Sequence, residues 1–391
     1  MAYALVFSAA VAPGIPLGIV LFGRHHPAAW VGGALIGYGL TQLALWFVIV
    51  TGHAGAFAFV LAWSGVCVAA LLTSRSVADT PVIPVSAWTA ADTRAMLLVL
   101  LLVPVLMGIT YRNLGREENG NRYYRAYFTA DFLWHSALAY ELGKFSMPPR
   151  NPYLAPRPMN YYWTYFLLPA TTAELAQTSA SDSLGPQPYL KANAIFVAIL
   201  MLGTLFIFVR SGTTAVGPAV AAVIVAVVAA SAEGSYAIVD LLWRGQSLDR
   251  LRHLNVDAVT AWSPFNGLRI DNIPRSLWYT PQHTTAVALG LVGLTIALRA
   301  GALARPVAIA GAGLALALAT TMNPFIGAVC SLMYGCCVFL DVVGRAGWLR
   351  ILGRHSLAAV FVIAAVAWTA ASRQADGAGS ALAVGFAGFS K

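Results

Sequence analysis

Charge is what this sequence has least of. Asp, Glu, Lys and Arg together supply 10% of its 391 residues, against about a quarter in an ordinary soluble domain. That shortage excludes a water-soluble globule, a disordered chain and a coiled coil, each of which needs a charged, hydrated exterior. Acidic residues are scarcer than basic ones, 15 against 24, and none stands in the middle of an apolar run. An ion- or proton-coupled transporter would carry an ionisable group at membrane depth. The four cysteines, Cys67, Cys330, Cys336 and Cys337, all lie inside apolar stretches without CxxC or histidine spacing. They read as small apolar fillers, which sets aside a disulfide framework and a zinc site. No charged segment precedes the first apolar run, so Tyr3 to Phe22 is expected to stay in place as a span.

What the chain has in abundance is apolar sequence: 59% of residues are hydrophobic and the mean hydropathy is +0.72. A bilayer crossing takes about 20 apolar residues. On that measure ten spans are expected near 3–23, 28–50, 54–73, 95–110, 190–209, 213–233, 283–298, 306–321, 324–340 and 356–372. The pair 306–321 and 324–340 divides at Asn323-Pro324, where a helix break is expected. The formal charge of +9 then speaks of topology, not of nucleic acid. With the N-terminus outside, the short inner loops hold Arg24, Arg75, Arg94, Arg210, Arg299, Arg305, Arg345, Arg350 and Arg354, and the short outer loops hold no Lys or Arg. This is the positive-inside pattern. It places the two long loops, 111–189 and 234–282, on the outer face of the plasma (inner) membrane, where most of the acidic residues collect.

The first long loop carries the chemistry. Residues 121–166 read NRYYRAYFTADFLWHSALAYELGKFSMPPRNPYLAPRPMNYYWTYF. Phe132, Leu133, Leu138, Ala139 and Leu142 recur at helical spacing, which predicts an amphipathic surface helix over 130–144. Asp131 and His135 are four apart and share one face of it. Asp131 near the helix start fits a charged general base or a cation ligand, and equally well a plain cap residue. Pro148-Pro149-Arg150-Asn151-Pro152 forces a stiff extended turn, and Asn160-Tyr161-Tyr162-Trp163 opens another apolar helix, 161–176. Arg122, Arg125, Lys144, Arg150 and Arg157 surround the segment, and guanidinium forks suit phosphate oxygens.

The succession ADFLWH, MPPRNPYLA and MNYYWTYF resembles the membrane glycosyltransferases of the GT-C superfamily, closest to a bacterial and archaeal family with a Pro-Pro-x-Asn/Asp-Pro stretch followed by Asn-Tyr-Tyr-Tyr. More distantly, Asp131-x-x-x-His135 and Pro148-Pro149 are similar to a segment of the protein O-mannosyltransferases. Phe132 stands there in place of a second acid, and Met147 in place of a histidine. Trp278-Tyr279-Thr280-Pro281-Gln282-His283 adds a looser likeness.

The resemblance implies an all-α polytopic bundle of about ten spans with a helical outer-face loop domain. Its expected parts are N-terminal spans over 1–94, a fourth span and catalytic loop over 95–189, two spans over 190–233, a second outer loop over 234–282 and C-terminal spans over 283–391. After the last span the residues Ser372 to Lys391 are mostly Gly and Ala, and the chain is expected to be part of a longer one. The resemblance further implies a polyprenyl-phosphate-linked sugar donor, an acceptor glycan, lipid or protein, and inversion at the anomeric carbon. In that reading Asp131 is the base and His135 its partner. Arg122, Arg125, Arg150, Asn151, Asn160, Tyr161, Tyr162, Arg275 and His283 are candidates for substrate binding. A divalent cation (Mg or Mn) is the one cofactor envisaged, and membrane lipid the surrounding partner. Two other readings stay open at this point: a transporter or flippase for a lipid-linked substrate, and a non-catalytic membrane subunit.

Overall fold

The computed structural model describes residues 2–52, 55–75, 81–84, 87–108, 111–112, 114–124, 126–177, 185–228, 239–247, 273–302, 304–343, 345 and 347–374. Among these the architecture is all-α apart from two short hairpins. The principal helices are α1 (Ala2–Val11), α2 (Ile15–Phe22), α3 (Pro27–Val50), α4 (Ala56–Arg75), α5 (Ala90–Leu100), α6 (Ala126–Gly143) and α7 (Leu167–Gln177). They continue with α8 (Gln187–Gly212), α9 (Val216–Val228), α10 (Ile273–Tyr279), α11 (Pro281–Ala300), α12 (Pro306–Met322), α13 (Pro324–Val342) and α14 (Trp348–Gln374).

Among the described residues, eight helical stretches are long and apolar enough to cross a bilayer: Tyr3–Phe22, Pro27–Val50, Phe57–Ser74, Ala90–Gly108, Gln187–Gly212, Pro281–Ala300, Pro324–Val342 and Trp348–Ala371. The remaining two expected spans fall on shorter helices. For α9 the described residues stop at Val228. The 17 residues of α12 extend about 26 Å at 1.5 Å per residue, the lower limit for a crossing. The break expected at Asn323 is present: its Oδ1 accepts from the backbone N–H of Phe325 and Ile326 at 2.9 and 3.0 Å, which caps α13. The last helix begins at Trp348, earlier than expected, because nothing between Trp348 and His355 breaks it.

Helices α3, α8, α11 and α12 form the centre, whereas α4, α13 and α14 lie outside with apolar side chains such as Phe57, Phe325 and Leu340 largely exposed. Such a surface is stable against hydrocarbon and not against water. The first span is jointed at the 3₁₀ turn Ala12–Gly14, where Pro13 and Pro16 each lack a backbone donor. There it presses on α3 through facing small residues. A Cβ on Gly14 would sit 2.1 Å from the Gly33 carbonyl oxygen, and one on Gly37 would sit 2.1 Å from that of Val11. These are two small-xxx-small pairs, Gly14/Gly18 and Gly33/Gly37, which let backbones meet where lipid provides no hydrophobic drive.

At one end of the bundle the starts of α3 and α5 meet the ends of α2, α8 and α11. Thr89 and Asp92 form a reciprocal cap on α5, and Asp92 Oδ1 receives Arg210 Nε at 2.6 Å from the end of α8. Arg299, in the last turn of α11, donates to the carbonyls of Pro84 at 3.1 Å and Ser211 at 3.4 Å. Residues 111–124 and 273–279, from the two long connections, lie at the opposite end. There Tyr111 donates to the Trp278 carbonyl at 3.2 Å, and Trp278 Nε1 donates to that of Leu106 at 3.0 Å.

The first connection departs from the sequence reading in four ways. Strands β1 (Arg116–Glu118) and β2 (Asn121–Tyr123) make a hairpin through Asn119-Gly120, both with positive φ (54° and 76°); Asn-Gly favours such a primed turn. Strands β3 (Arg150–Asn151) and β4 (Leu154–Pro158) make a second hairpin after the two prolines. The helix carrying Asp131 starts at Ala126 and is packed inside the protein, since only Tyr140 is exposed between Asp131 and Gly143. It is therefore not a half-wet surface helix. The helix expected over 161–176 begins later, at Leu167, after a 3₁₀ turn Thr164–Phe166.

Candidate functional site

Asp131 lies in the second turn of α6, five residues past the first, so the cap role open to it on sequence alone does not apply. The dipole effect also fades beyond the first turn. Its surroundings are set by two segments from far along the chain. Residues 160–168 are held by Gln42 of α3, whose Nε2 donates to the Tyr165 carbonyl at 3.0 Å and whose Oε1 accepts from the Leu168 N–H at 3.0 Å. That grip satisfies backbone groups at the start of α7 and fixes the preceding aromatics. The other segment is the start of α11, opened by Pro281 at the first helical position.

Between them a polar chain forms. Gln282 Nε2 donates to the Tyr161 hydroxyl at 3.1 Å, and the Tyr162 hydroxyl meets His283 Nε2 at 2.8 Å. The Tyr161 and Tyr162 rings stack with centroids 4.3 Å apart, and their hydroxyls interact. Burial, then Tyr162 and the Asp131 charge, hold the Tyr161 hydroxyl well above its ordinary pKa. It stays protonated, and Asp131 lies within electrostatic reach of it. One turn after Asp131, His135 is 4% exposed and packs on Phe166 with centroids 4.7 Å apart. Burial, reinforced by nearby His283, pushes its pKa down to about 3. His135 is a neutral imidazole at physiological pH and carries no charge for a phosphate. Trp134 extends the aromatic wall from Tyr161 (5.9 Å) to Tyr153 (5.0 Å) on the second hairpin.

Helix α10 packs against α6 and brings Arg275 to the same end of the molecule. Arg275 is 2% exposed, with its guanidinium carbon 5.2 Å from the Tyr279 ring centroid. Of the residues singled out from sequence, Asp131, His135, Tyr161, Tyr162 and His283 thus come together, and Arg275 sits on the adjoining helix. Others are engaged elsewhere. Arg122 reaches Glu117 across the first hairpin at 3.9 Å. Asn151 Oδ1 accepts from the N–H groups of Tyr153 and Leu154 at 2.9 and 3.1 Å, so it closes the second hairpin. The exposed Arg150 offers its backbone N–H to Glu141 at 3.2 Å, and Asn160 is exposed beside the aromatic segment. Arg125 lies outside the described residues.

Three contributors were not singled out from sequence. Gln282 is fully buried against Tyr161, and its signal was its place inside the Pro-Gln-His triplet. Gln42, a lone amide within an apolar span, is the kind of residue that bridges helices in a membrane. Glu141 is buried and bound to Lys144, joining the end of α6 to β3. Among the described residues, no group of three or more His, Cys, Asp or Glu side chains is arranged to hold a metal ion. No family model, curated protein or solved structure matches the chain.

Proposed function

We propose that this membrane protein is a GT-C-type glycosyltransferase. In this reading it moves a sugar, with inversion, from a polyprenyl-phosphate-linked donor to a glycan, lipid or protein acceptor at the outer face of the plasma membrane. The observation that carries the reading is the half-buried Asp131, within electrostatic reach of Tyr161 in the Tyr161–Tyr162–His283 group, at the end of the bundle where residues 111–124 and 273–279 lie. Asp131 takes the proton of the acceptor hydroxyl as its oxygen attacks the anomeric carbon. The anomeric C–O bond breaks with its electron pair leaving on the lipid phosphate, which is a weak base and needs no general acid. Arg275 supplies positive charge near the departing phosphate. Neutral His135 acts by position, fixing the face of α6 that presents Asp131. The aromatic wall of Trp134, Tyr153 and Tyr161 suits the apolar face of a sugar ring.

The test compares Asp131→Asn with the unaltered protein, both purified and supplied with polyprenyl-phosphate sugars. Loss of a general base predicts a fall in turnover of about 10²–10⁴ with unchanged thermal stability. Equal turnover by the two proteins removes Asp131 from the chemistry and the reading with it.

A further inference from the structure

A cavity of about 580 Å³ lies between α13 and α14, with Leu316 of α12 also lining it. Its size is that of a small-molecule pocket. It is remote from the Asp131 group. Trp368, near the far end of α14, meets Trp46 edge-on, and Trp46 in turn touches Trp163 beside Tyr162. The cavity instead runs from Trp348 to Ile363 on the earlier part of the same helix.

Its walls are apolar, and of its lining residues Phe339, Trp348, Leu352 and Ile363 are largely exposed hydrophobic side chains. In a bilayer such an opening faces hydrocarbon. One polar feature breaks the apolar lining. The Tyr334 hydroxyl meets His355 Nδ1 at 2.7 Å, with both residues less than a tenth exposed. A phenol is the better donor of the two, so the imidazole hydrogen belongs on Nε2. The Ala302 carbonyl interacts with the ring but falls short of full hydrogen-bond geometry to that nitrogen. Ser331 Oγ, on the same cavity, is also buried without a partner. An unmet donor inside a low-dielectric site is costly and calls for an acceptor.

The chemistry of that acceptor follows from the cavity's ends. The connection from α13 to α14 and the first turns of α14 carry Arg345, Arg350 and Arg354, all exposed, against the single carboxylate Asp341 that pairs with Arg345 at 3.2 Å. An anionic head is favoured there. Along α14, His355 lies about 10 Å from Trp348 and about 12 Å from Ile363 at 1.5 Å per residue. That leaves room for a head on one side of His355 and a chain on the other. We propose that this cavity is a lipid site holding one acyl chain of an anionic membrane phospholipid, its ester carbonyl accepting from His355 Nε2 and its phosphate lying towards Arg345 and Arg350. The site stands apart from the transferase reading and does not depend on it.

Native mass spectrometry of the detergent-purified chain, titrated with phosphatidylglycerol or phosphatidylcholine of the same acyl chains, tests this. One phosphatidylglycerol should be retained at least ten-fold better than phosphatidylcholine. Gly335 lines the cavity, and a Cβ added to it would have nothing within 4 Å, so Gly335→Leu fills the space while favouring the helix. It should cut retention at least ten-fold, and His355→Phe about five-fold. Unchanged retention in Gly335→Leu, or equal retention of the two lipids, overturns the proposal. So does a wild-type dimer that Gly335→Leu dissolves, since a second copy would then be the occupant. Brominated phosphatidylglycerol provides a readout in the unaltered fold. Stoichiometric lipid should quench a share of tryptophan emission that disappears in Trp348→Phe, and no such share refutes the placement.

Discussion

The Asp92–Arg210 clasp offers the sharpest test of how the bundle is held at the end away from the candidate site. Asp92 is fully buried, and its carboxylate is shared between Arg210 at 2.6 Å and the Thr89 backbone N–H at 2.8 Å. Arg210→Ala leaves that carboxylate enclosed with the cap but without its cation. Breaking a buried pair in this way costs about 3–5 kcal/mol. Asp92→Asn should cost less, because an amide oxygen still caps α5 and the Arg210 side chain, 12% exposed, can turn its charge to the edge of the bundle. In the double variant the stranded charge is gone, so the two losses should fall short of their sum by about 0.5–3 kcal/mol. Refoldable unfolding in mixed micelles, followed by tryptophan emission, measures all three. Trp88 is a built-in reporter, since it donates to Thr93 Oγ1 at 2.9 Å and packs against His26. A loss below about 1 kcal/mol for Arg210→Ala, or strict additivity in the cycle, refutes the argument.

Two further outcomes follow from packing and from burial. Gly37→Ala should lower stability by about 1–3 kcal/mol or more, because its Cβ would meet the backbone at Val11 and Gly14. Gly65→Ala, which enters open space on α4, should stay within about 0.5 kcal/mol in the same unfolding assay. His135, lowered to about 3 from 6.5, keeps its proton off in the fold and takes one in the unfolded chain. Stability is therefore full above pH 6.5 and is lost as pH falls towards 3, with about 2 kcal/mol gone by pH 5. His26, lowered to about 4 chiefly by burial, tilts the curve the same way. The measurement is thus the flattening of the pH profile in His135→Asn, and an unchanged slope rejects the buried neutral imidazole.

Much of the fold was legible because hydrocarbon imposes a simple rule. A span must be apolar over its whole length, and eight helices of the expected register obey it. The break at Asn323 was legible for a local reason too, since an asparagine before proline both ends one helix and caps the next. The first hairpin carried an equally local mark, Asn119-Gly120, yet its strands are three residues each and too short to register as a pattern. The interior placement of α6 was hidden differently. Its spacing of Phe132, Leu138 and Leu142 fits one covered face, and the covering of the rest depends on α7 and α10, which no periodicity within α6 can reveal.

The site divides along the same line. Asp131 and His135 were placed on one face by their separation of four, a property of any helix. The groups that give them a setting are joined to each other across 121 to 126 residues of sequence: Tyr161 with Gln282, Tyr162 with His283, and Leu168 with Gln42. Residue type alone also favoured members that have partners in their own hairpins. Exposed arginines and an asparagine in a proline-rich turn look like phosphate and sugar ligands, but Arg122 and Asn151 serve their own hairpins. Two glutamines without charge hold the aromatic segment in place. In a chain where apolar residues prevail, an amide buried at a span end has few ways to be satisfied other than by gripping another segment. The inconspicuous Gln42 and Gln282 are for that reason the better guides to where the long connections fold back onto the bundle, and Asp131 gains its candidacy from the reach of its charge to the hydroxyl that one of them holds.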